Sequence, residues 1–591
     1  MKILLTTLNS KFVHSSLSIR YLKECIKDLN IEVEIEEYTI NQQIDFIVSE
    51  IYKKDIDIVA FATYIWNIEE VMDICDRLKL IKPELKILLG GPEVSFDIEE
   101  IMKNNKNIDF IIYGEGEDTF REFTMNTIDN KGYWNIRGLA YRNNNDIVIN
   151  NPRKLINNLD KIPSPFKEDV QSFRNKIVYY ETSRGCPFNC KFCLSSTIEG
   201  VRFFSINRVK EDLKFLIESN VKQVKFVDRT FNTNKKYAME IMNYIANNNP
   251  NNINFHFEVT AHLLDDEMLK FLENVKEGMF QFEIGVQSTN EKTIEAIGRT
   301  TDFKKLSKVV NRINSYKNIH QHLDLIVGLP YEDYNTFKIS FNDVYNLEPE
   351  KLQLGFLKLL KGSELRNNEE LHGFKYIDKP PYEIMENDYI TYEEILKLKT
   401  IEDLVEKYGN ELNFKHTLKF IIKNYFKSAF DFYEDFAEYW EEFNYHTMSH
   451  SLNKLYKIIY DYYNDRISKD LDIFNDIIKY DYIFNNNSLT PKYMNVYDEE
   501  KIKKYRHDFL QDEKNIIKYL PNYEKIPVKK IIKDISIIKF KFDILKFFET
   551  NERENIIWGE KFIMFVHKGK NKVFTKSEVI DITEDFYKEE E

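Results

Sequence analysis

Apolar positions along the first 125 residues switch between two periods. Short strand-type runs occur at Ile3–Leu8, Ile31–Tyr38, Ile56–Thr63, Leu85–Leu89 and Ile108–Ile112, while Leu17–Leu29, Ile44–Tyr52 and Ile68–Leu80 carry apolar residues at helical spacing. Strands alternating with helices predict a doubly wound, Rossmann-like parallel sheet of the α/β class. The alternation resumes later. Strand patterns lie at Val178–Glu181, Val221–Val227, Ile253–Val259, Phe280–Val286, His322–Val327 and Leu352–Leu359, with helical patterns at Val209–Glu218, Tyr237–Ala246, Glu267–Leu272 and Phe303–Ile313. Six such strands predict a partial (β/α)6 barrel, whose reactive groups belong at the carboxyl ends of the strands. Pro380-Pro381 breaks the pattern. Residues 390–480 then read as helical and crowded with aromatics (Phe426, Phe430, Phe432, Tyr433, Phe436, Tyr439, Trp440, Phe443). That stripe is expected to be helix core, with a lid over the barrel mouth as the alternative. Near the end, Ile532–Phe542, Phe562–Val566 and Val573–Thr575 read as strands, with a hairpin at Lys568-Gly569-Lys570-Asn571. The Asn-rich stretch Asn247–Asn252 reads as a surface turn. The expected layout is a first domain over 1–135, a linker over 136–175, the barrel over 176–365 and a mainly helical third domain over 366–591.

Composition narrows the class. The 591 residues include 44 Phe and 36 Tyr, enough for several cores. A net charge of −14 argues against general nucleic-acid binding, which needs Lys and Arg against phosphates. No apolar run approaches the roughly 20 residues that span a bilayer. Met1–Leu5 enters a strand pattern rather than a signal peptide. Five cysteines make no disulfide framework, which points to a reducing, cytoplasmic setting.

Three of those cysteines fall in one window, Cys186-x3-Cys190-x2-Cys193. Three thiolates can hold three irons of a [4Fe–4S] cube and leave the fourth iron open to a small molecule; a purely structural cluster has four. Structural zinc is the rival, but no cysteine follows Cys193 and the next histidine is His256. Cys25 and Cys75 sit in apolar helical patterns and read as core thiols. In the first domain, two glycine-rich loops close successive strands: Gly90-Gly91-Pro92-Glu93 and Gly114-Glu115-Gly116-Glu117. Glycine lets backbone approach a ligand closely, although tight turns alone would also use it. No Gly-x-Gly-x-x-Gly occurs, which disfavours a dinucleotide. The loop after the first strand, Asn9 to Ser16, carries His14. That imidazole reads either as a metal ligand or as part of a helix-start cluster capped by Ser15 or Ser16.

Cys186-x3-Cys190-x-Phe192-Cys193 resembles the signature of radical S-adenosylmethionine (SAM) proteins, including the aromatic before the last cysteine. The resemblance implies that the open iron chelates SAM and that reductive cleavage yields a 5′-deoxyadenosyl radical. Glu258, Gln287 with Ser288, and Arg299 resemble the residues that hold SAM in the oxygen-independent coproporphyrinogen oxidase branch. Phe192 would touch adenine, and Ile326–Pro330 resembles the late-barrel adenine-side motif. Asp228, at a strand end, is either structural or functional. The first domain is similar to the cobalamin-binding domain fused to one large radical SAM class. That likeness implies cobalamin held near Asn9, His14, Gly90, Gly91, Gly114, Glu115 and Gly116. The motif Asp-x-His-x-x-Gly is reduced here to Phe12-x-His14-x-x-Leu17, so a base-off cobalamin without a protein ligand stands beside His14 ligation. The last third resembles the uncharacterised C-terminal region of one clade of these proteins. The resemblance implies a radical enzyme with a [4Fe–4S] cluster, SAM and cobalamin, a low-potential donor (flavodoxin or ferredoxin) and anaerobic handling. Methylation of an unactivated carbon of a small molecule is the leading expectation. A radical cyclase or oxidoreductase, or a non-catalytic cofactor-binding sensor, are the alternatives. A methylthiotransferase would need a second cysteine set, which Cys25 and Cys75 cannot supply.

Overall fold

A computed structural model describes the chain except residues 145, 168–172, 174–175, 199, 220, 252, 487–489, 495–498, 568–576 and 587–591, and except the side chains of 499–504. Two compact units result: residues 1–350 with 354–395, and residues 396–591 with 351–353.

The first unit begins with a seven-stranded sheet. Its strands are β1 (Lys2–Asn9), β2 (Glu32–Thr39), β3 (Ile58–Ala62), β4 (Lys86–Gly90), β5 (Phe110–Ile112), β6 (Leu139–Asn143) and β7 (Asp146–Ile149), in the order β2-β1-β3-β4-β5-β6-β7. β1 to β5 are parallel, and both faces of β1, β3 and β4 are buried, which is why they read as continuous apolar runs. β2 is the edge, and its Glu32, Glu34 and Glu36 meet Lys2 and Lys54. β6 and β7 extend the sheet antiparallel. They fall where a linker was expected over 136–175, because a short hairpin such as Leu-Ala-Tyr-Arg-Asn carries too few apolar positions to stand out.

The second sheet is the barrel, and all of it but Lys351–Gln353 belongs to this unit. Its strands are β8 (Ile177–Tyr180), then, after a short ribbon of β9 (Ser183–Gly185) and β10 (Val201–Phe203), β11 (Gln223–Phe226), β12 (Asn254–Glu258), β13 (Phe280–Gln287), β14 (His320–Val327) and β15 (Lys351–Phe356). The order is β15-β14-β13-β12-β11-β8. One face is apolar and buried (Phe255, Phe257, Phe280, Phe282, Leu323, Leu325). The other is polar: Tyr179, Lys225, His256, Glu258, Gln281, Glu283, His320 and His322 alternate with that apolar set. Lys225 Nζ reaches across β12 to Glu283 Oε2 at 3.0 Å, and His256 Nε2 lies 2.8 Å from the same oxygen. Closed barrels fill this side with branched apolar residues. Here it is a hydrogen-bonding trough.

β8 is the outer strand of that sheet, and the Asn9–Ser16 loop covers it. Ile177 N donates to Val13 O at 2.7 Å, Ser15 Oγ donates to Ile177 O at 2.9 Å, and His14 forms a parallel bridge with Ile177. The first unit continues to Ile395, about 30 residues past the boundary expected at 365. The reason is a strap over 357–390, including the two short strands β16 (Lys375–Tyr376) and β17 (Ile384–Glu386). Leu365 N donates to Lys191 O at 3.0 Å, Asn387 Nδ2 donates to Gly328 O at 2.8 Å, and Tyr382 Oη donates to Glu93 Oε2 at 2.8 Å.

In the second unit, Phe430, Phe432, Tyr433, Phe436, Tyr439 and Trp440 are core, while Phe443 is exposed. A three-stranded antiparallel sheet follows: β18 (Ile535–Phe542), β19 (Trp558–Val566) and β20 (Glu578–Asp581). Residues 528–534, expected to begin a strand from Ile532, form a helix before β18. The expected strand Val573–Thr575 and turn Lys568–Asn571 lie outside the described residues, as does Asn252. Among the described residues no helix is long and apolar enough to cross a membrane.

Candidate cluster and cofactor site

The cysteine segment leaves β8 and is gripped at once by Asp228, which follows β11. Asp228 is 1% exposed. Its Oδ1 accepts from Thr182 Oγ1 at 2.6 Å and Ser183 Oγ at 2.5 Å, and its Oδ2 accepts from Thr182 N at 3.0 Å. Burial pushes this carboxyl up and those bonds pull it down, leaving it raised. Of the two roles open for Asp228, the geometry supplies one: it sets where the loop begins. Tyr237 Oη adds a bond to Thr182 O at 3.1 Å.

Beyond that anchor the three thiols gather. Cys186 Sγ is 3.6 Å from Thr230 Oγ1, and Arg299 Nη1 donates to Cys190 Sγ at 3.7 Å. Burial raises the Cys190 thiol, the Arg299 guanidinium lowers it, and Cys193 and Cys186 push it up, so the three sulfurs sense one another. Lys191 N donates to Ile297 O at 3.0 Å, holding the loop against the segment that carries Arg299. Among the described residues no three His, Cys, Asp or Glu side chains converge on a point for a single metal ion. A cube asks for something different, since each thiolate holds its own iron.

The residues expected around SAM divide. Gln287 stands at the end of β13 where the register shifts, and its φ is +71°, a left-handed backbone rare outside glycine. Its amide folds back over Gly285, where a Cβ would lie 2.3 Å from Gln287 Nε2, so a larger residue there would push the amide aside. Gln287 Oε1 is buried with no hydrogen-bond partner among the described residues. Arg299 Nη2 donates to Gly285 O at 2.9 Å, so Arg299 links Cys190 to this strand end. The Glu258 carboxyl is raised mainly by burial, with the Arg229 charge opposing. An orphaned amide oxygen, a guanidinium beside a cysteine and a desolvated carboxyl suit the amino and carboxylate groups of SAM. Ser288 differs. Its hydroxyl donates to Glu332 Oε1 at 2.6 Å, inside the wall. Phe192 is half-buried in the cysteine loop.

On the first sheet, Gly90 and Gly91 close β4, and Gly91 (φ +116°) lies against Thr63: a Cβ would sit 2.3 Å from Thr63 O. Packing thus requires this glycine with or without a ligand. Gly114 (φ +76°) is different, because a Cβ there would meet nothing within 4 Å. It leaves open backbone at a strand end, as a bulky cofactor needs. Glu115 and Glu117, by contrast, are occupied. Arg202 forks onto Glu115 at 2.8 and 3.0 Å. Arg184, two residues before Cys186, meets Glu117 at 2.5 Å, Glu181 at 2.8 Å and Glu115 at 3.4 Å. All five side chains are at most 15% exposed. This clamp ties the Gly114–Glu117 loop to the cysteine loop, and the sequence reading missed it. Its signal was present: a lone Arg inside the cysteine segment and a glutamate-rich loop without cations of its own. His14 turns toward the trough, its Nδ1 2.7 Å from Tyr179 Oη, and burial first, then the charges of Lys11 and Lys225, lower its pKa. Asn9 Nδ2 donates to His14 O and to Glu37 Oε2, each at 3.2 Å.

A B12 binding domain family matches residues 3–124, the Radical SAM superfamily matches residues 180–344, and a protein of unknown function family (DUF4080) matches residues 370–565. The cofactors that go with the first two are cobalamin, and a [4Fe–4S] cluster with SAM. An uncharacterized methyltransferase of Pyrococcus horikoshii is 28% identical over 371 residues, which is 59% of this chain and 79% of that protein. The cobalamin-dependent radical SAM methyltransferase TokK of Streptomyces tokunonensis is 23% identical over 346 residues, 55% of this chain. The match spans about half (50%) of TokK's own length. The solved structure of the cobalamin-dependent S-adenosylmethionine radical enzyme OxsB, with aqua-cobalamin and SAM bound, shares the fold. Its TM-score is 0.58 at 13% identity, covering 89% of this chain and 84% of that one.

Proposed function

We propose that this chain, which joins a B12 binding domain to a radical SAM domain and a DUF4080 region, is a radical enzyme that methylates an unactivated carbon of a polar small molecule. One observation carries the reading. Three thiols share a loop with Arg299 against Cys190, next to a Gln287 amide oxygen that is buried and unmet. When bound, the cluster and SAM supply radical chemistry that acids and bases cannot, and cobalamin supplies a methyl carrier.

The chain's own groups take these roles. Cys186, Cys190 and Cys193 hold three irons. Gln287 and Arg299 orient the methionyl end of SAM, Glu258 receives its amino group, and Phe192 packs against adenine. Ser288 contributes backbone only, since its hydroxyl is committed to Glu332. Gly114 and Gly116 let the corrin approach the sheet, while Glu115 serves the clamp. His14 belongs to the trough rather than to cobalt. The polar face of Lys225, His256, Gln281 and Glu283 suits a substrate rich in hydrogen-bonding groups and disfavours a largely apolar macrocycle. A low-potential flavodoxin or ferredoxin supplies the electron.

The test is anaerobic incubation of the reconstituted protein with cobalamin, SAM and a reductant. S-adenosylhomocysteine is expected beside 5′-deoxyadenosine. 5′-Deoxyadenosine alone overturns methyl transfer, and neither product overturns the radical reading.

A further inference from the structure

Glu332, the partner of Ser288, is the hub beneath the turn that follows β13. The chain leaves β14 through Gly328 (φ +85°) and Tyr331 (φ +61°), two left-handed positions that turn it back under the end of β13. Glu332 is therefore delivered to the wall, 1% exposed. Asp333 then caps the helix Tyr334–Tyr345 by accepting from Thr336 N, which puts Ser340 on that helix's buried face.

One carboxylate oxygen, directly and through Ser340, gathers the three residues that follow β13. Glu332 Oε1 accepts from Ser288 Oγ at 2.6 Å and from Ser340 Oγ at 2.8 Å. Ser340 Oγ accepts from Thr289 N at 3.1 Å, and Ser288 Oγ accepts from Asn290 N at 3.0 Å. Asn290 Nδ2 closes the ring by donating to Tyr331 O at 2.9 Å. Glu332 Oε2 is buried with no partner among the described residues.

A buried carboxyl with an oxygen unmet is an expensive way to fasten a turn; an apolar contact would do so without desolvating a charge. The adjacent residue explains the expense. Gln287 holds a left-handed backbone, which persists only where its surroundings over-determine it. We infer that Glu332 is a positioning residue for SAM: through Ser288 and Ser340 it fixes the Gln287–Asn290 turn and so aims the Gln287 amide. The inference rests on the reading of Gln287 as a SAM contact.

The experiment is a double-mutant cycle on the cluster- and cobalamin-loaded protein, reading SAM dissociation constants by equilibrium binding. Q287A and E332A each weaken SAM by ~10-fold, about one hydrogen bond's worth. E332Q, which keeps an acceptor in place, stays within ~3-fold. Iron and cobalt per chain stay at wild-type levels throughout. E332A added to Q287A costs no more than ~2-fold further, because the hub acts through that amide. If the two losses multiply instead, Glu332 does not act through Gln287 and the inference fails, while the Gln287 reading stands. If Q287A leaves SAM binding unchanged, both fall. Should E332A not fold, S340A carries the same test. It is expected to weaken SAM by ~3-fold alone and not at all in the Q287A background, and multiplication of losses there is equally fatal.

Discussion

Removing the Arg184 guanidinium should reveal how firmly the two sheets of the first unit are joined. Arg184 faces three carboxylates, Glu115, Glu117 and Glu181, in surroundings at most 15% exposed. In Arg184→Ala, Arg202 still forks onto Glu115 at 2.8 and 3.0 Å, so that carboxylate keeps a partner. Glu117 and Glu181 do not. Burial already raises Glu181, and only the Arg184 charge and hydrogen bonds oppose it. Stripped of its cation, the Glu181 carboxyl takes up a proton. At pH 7.5, protonating a carboxyl of ordinary pKa costs ~4 kcal/mol, and at pH 5.5 ~1.4 kcal/mol. The expected loss at pH 7.5 is thus about 3–5 kcal/mol, the range for breaking a buried pair from one side. It should shrink by ~2–3 kcal/mol at pH 5.5. Urea unfolding of the cofactor-loaded protein at both pH values measures it, and Glu117→Gln in the Arg184→Ala background should recover part of the loss. A loss below ~1 kcal/mol, or one that does not change between the two pH values, refutes the argument, because uncompensated buried charge would then not be its source.

Other consequences are equally open to measurement. Gly114→Val places a side chain in the open space at φ +76°; cobalt retained per chain should fall sharply while iron does not, beyond a backbone strain of ~1–2 kcal/mol. His14→Ala should leave the cobalt(II) electron paramagnetic resonance spectrum of the loaded protein unchanged, and a changed axial signature would return His14 to cobalt. Glu283 sits at about 2: burial raises it, and the His256 hydrogen bond and Lys225 charge more than offset that. Its stabilisation is present above the unfolded value near 4.5 and is lost as pH falls toward 2, so Glu283→Gln should cost about 3 kcal/mol at pH 7 in urea unfolding and almost nothing below pH 2. Glu332 runs the other way. Burial pushes it to about 7 against the Ser288 and Ser340 bonds, the Asp333 charge adds to the rise, and Asp343 lies one step off through Thr289. Stability should therefore decline by about 3 kcal/mol as pH climbs from 4.5 to 7, and Glu332→Gln should flatten that slope.

Much of the fold was legible because parallel strands buried on both faces announce themselves. β1, β3 and β4 are continuous apolar runs, and the amphipathic helices between them keep strict spacing. The barrel strands were legible for a different reason. β13 and β14 alternate Phe, Ile, Leu or Val with Gln, Glu, His or Asp, and that alternation records one apolar and one polar face. What it did not disclose is that the polar face is the inner one, because period-2 patterns carry no sense of which side closes. The hairpin β6–β7 and the strap over 357–390 were illegible for want of length. Each of their strands has five or fewer residues and is held by contacts far away in sequence, such as Tyr382 with Glu93.

The same limit explains why the partners of the site residues were not legible. Residue type and spacing locate a loop near a cofactor, because Cys-x3-Cys-x2-Cys and strand-end glycines are needed there for chemistry or close approach. They do not say what each side chain in the loop does, because that depends on what the other sheet brings opposite it. Glu115 reads from sequence as part of a cobalamin cradle, and its carboxylate meets Arg202 and Arg184 from the barrel side. His14 reads from sequence as a metal ligand or as part of a helix-start cluster, and the partner that the fold brings to its Nδ1 is Tyr179 from β8. Ser288 reads from sequence as a SAM contact, and its hydroxyl meets Glu332 from beyond β14. In each case the side chain is anchored to a partner from another element. The loops of this first unit thus divide their labour, with charged side chains fastening the two sheets while Gly114 and the Gln287 amide oxygen are left unengaged among the described residues. That division makes the anchors testable apart from the ligand groups. Loss of an anchor should lower stability and ligand affinity together, whereas loss of Gln287 should lower SAM affinity alone.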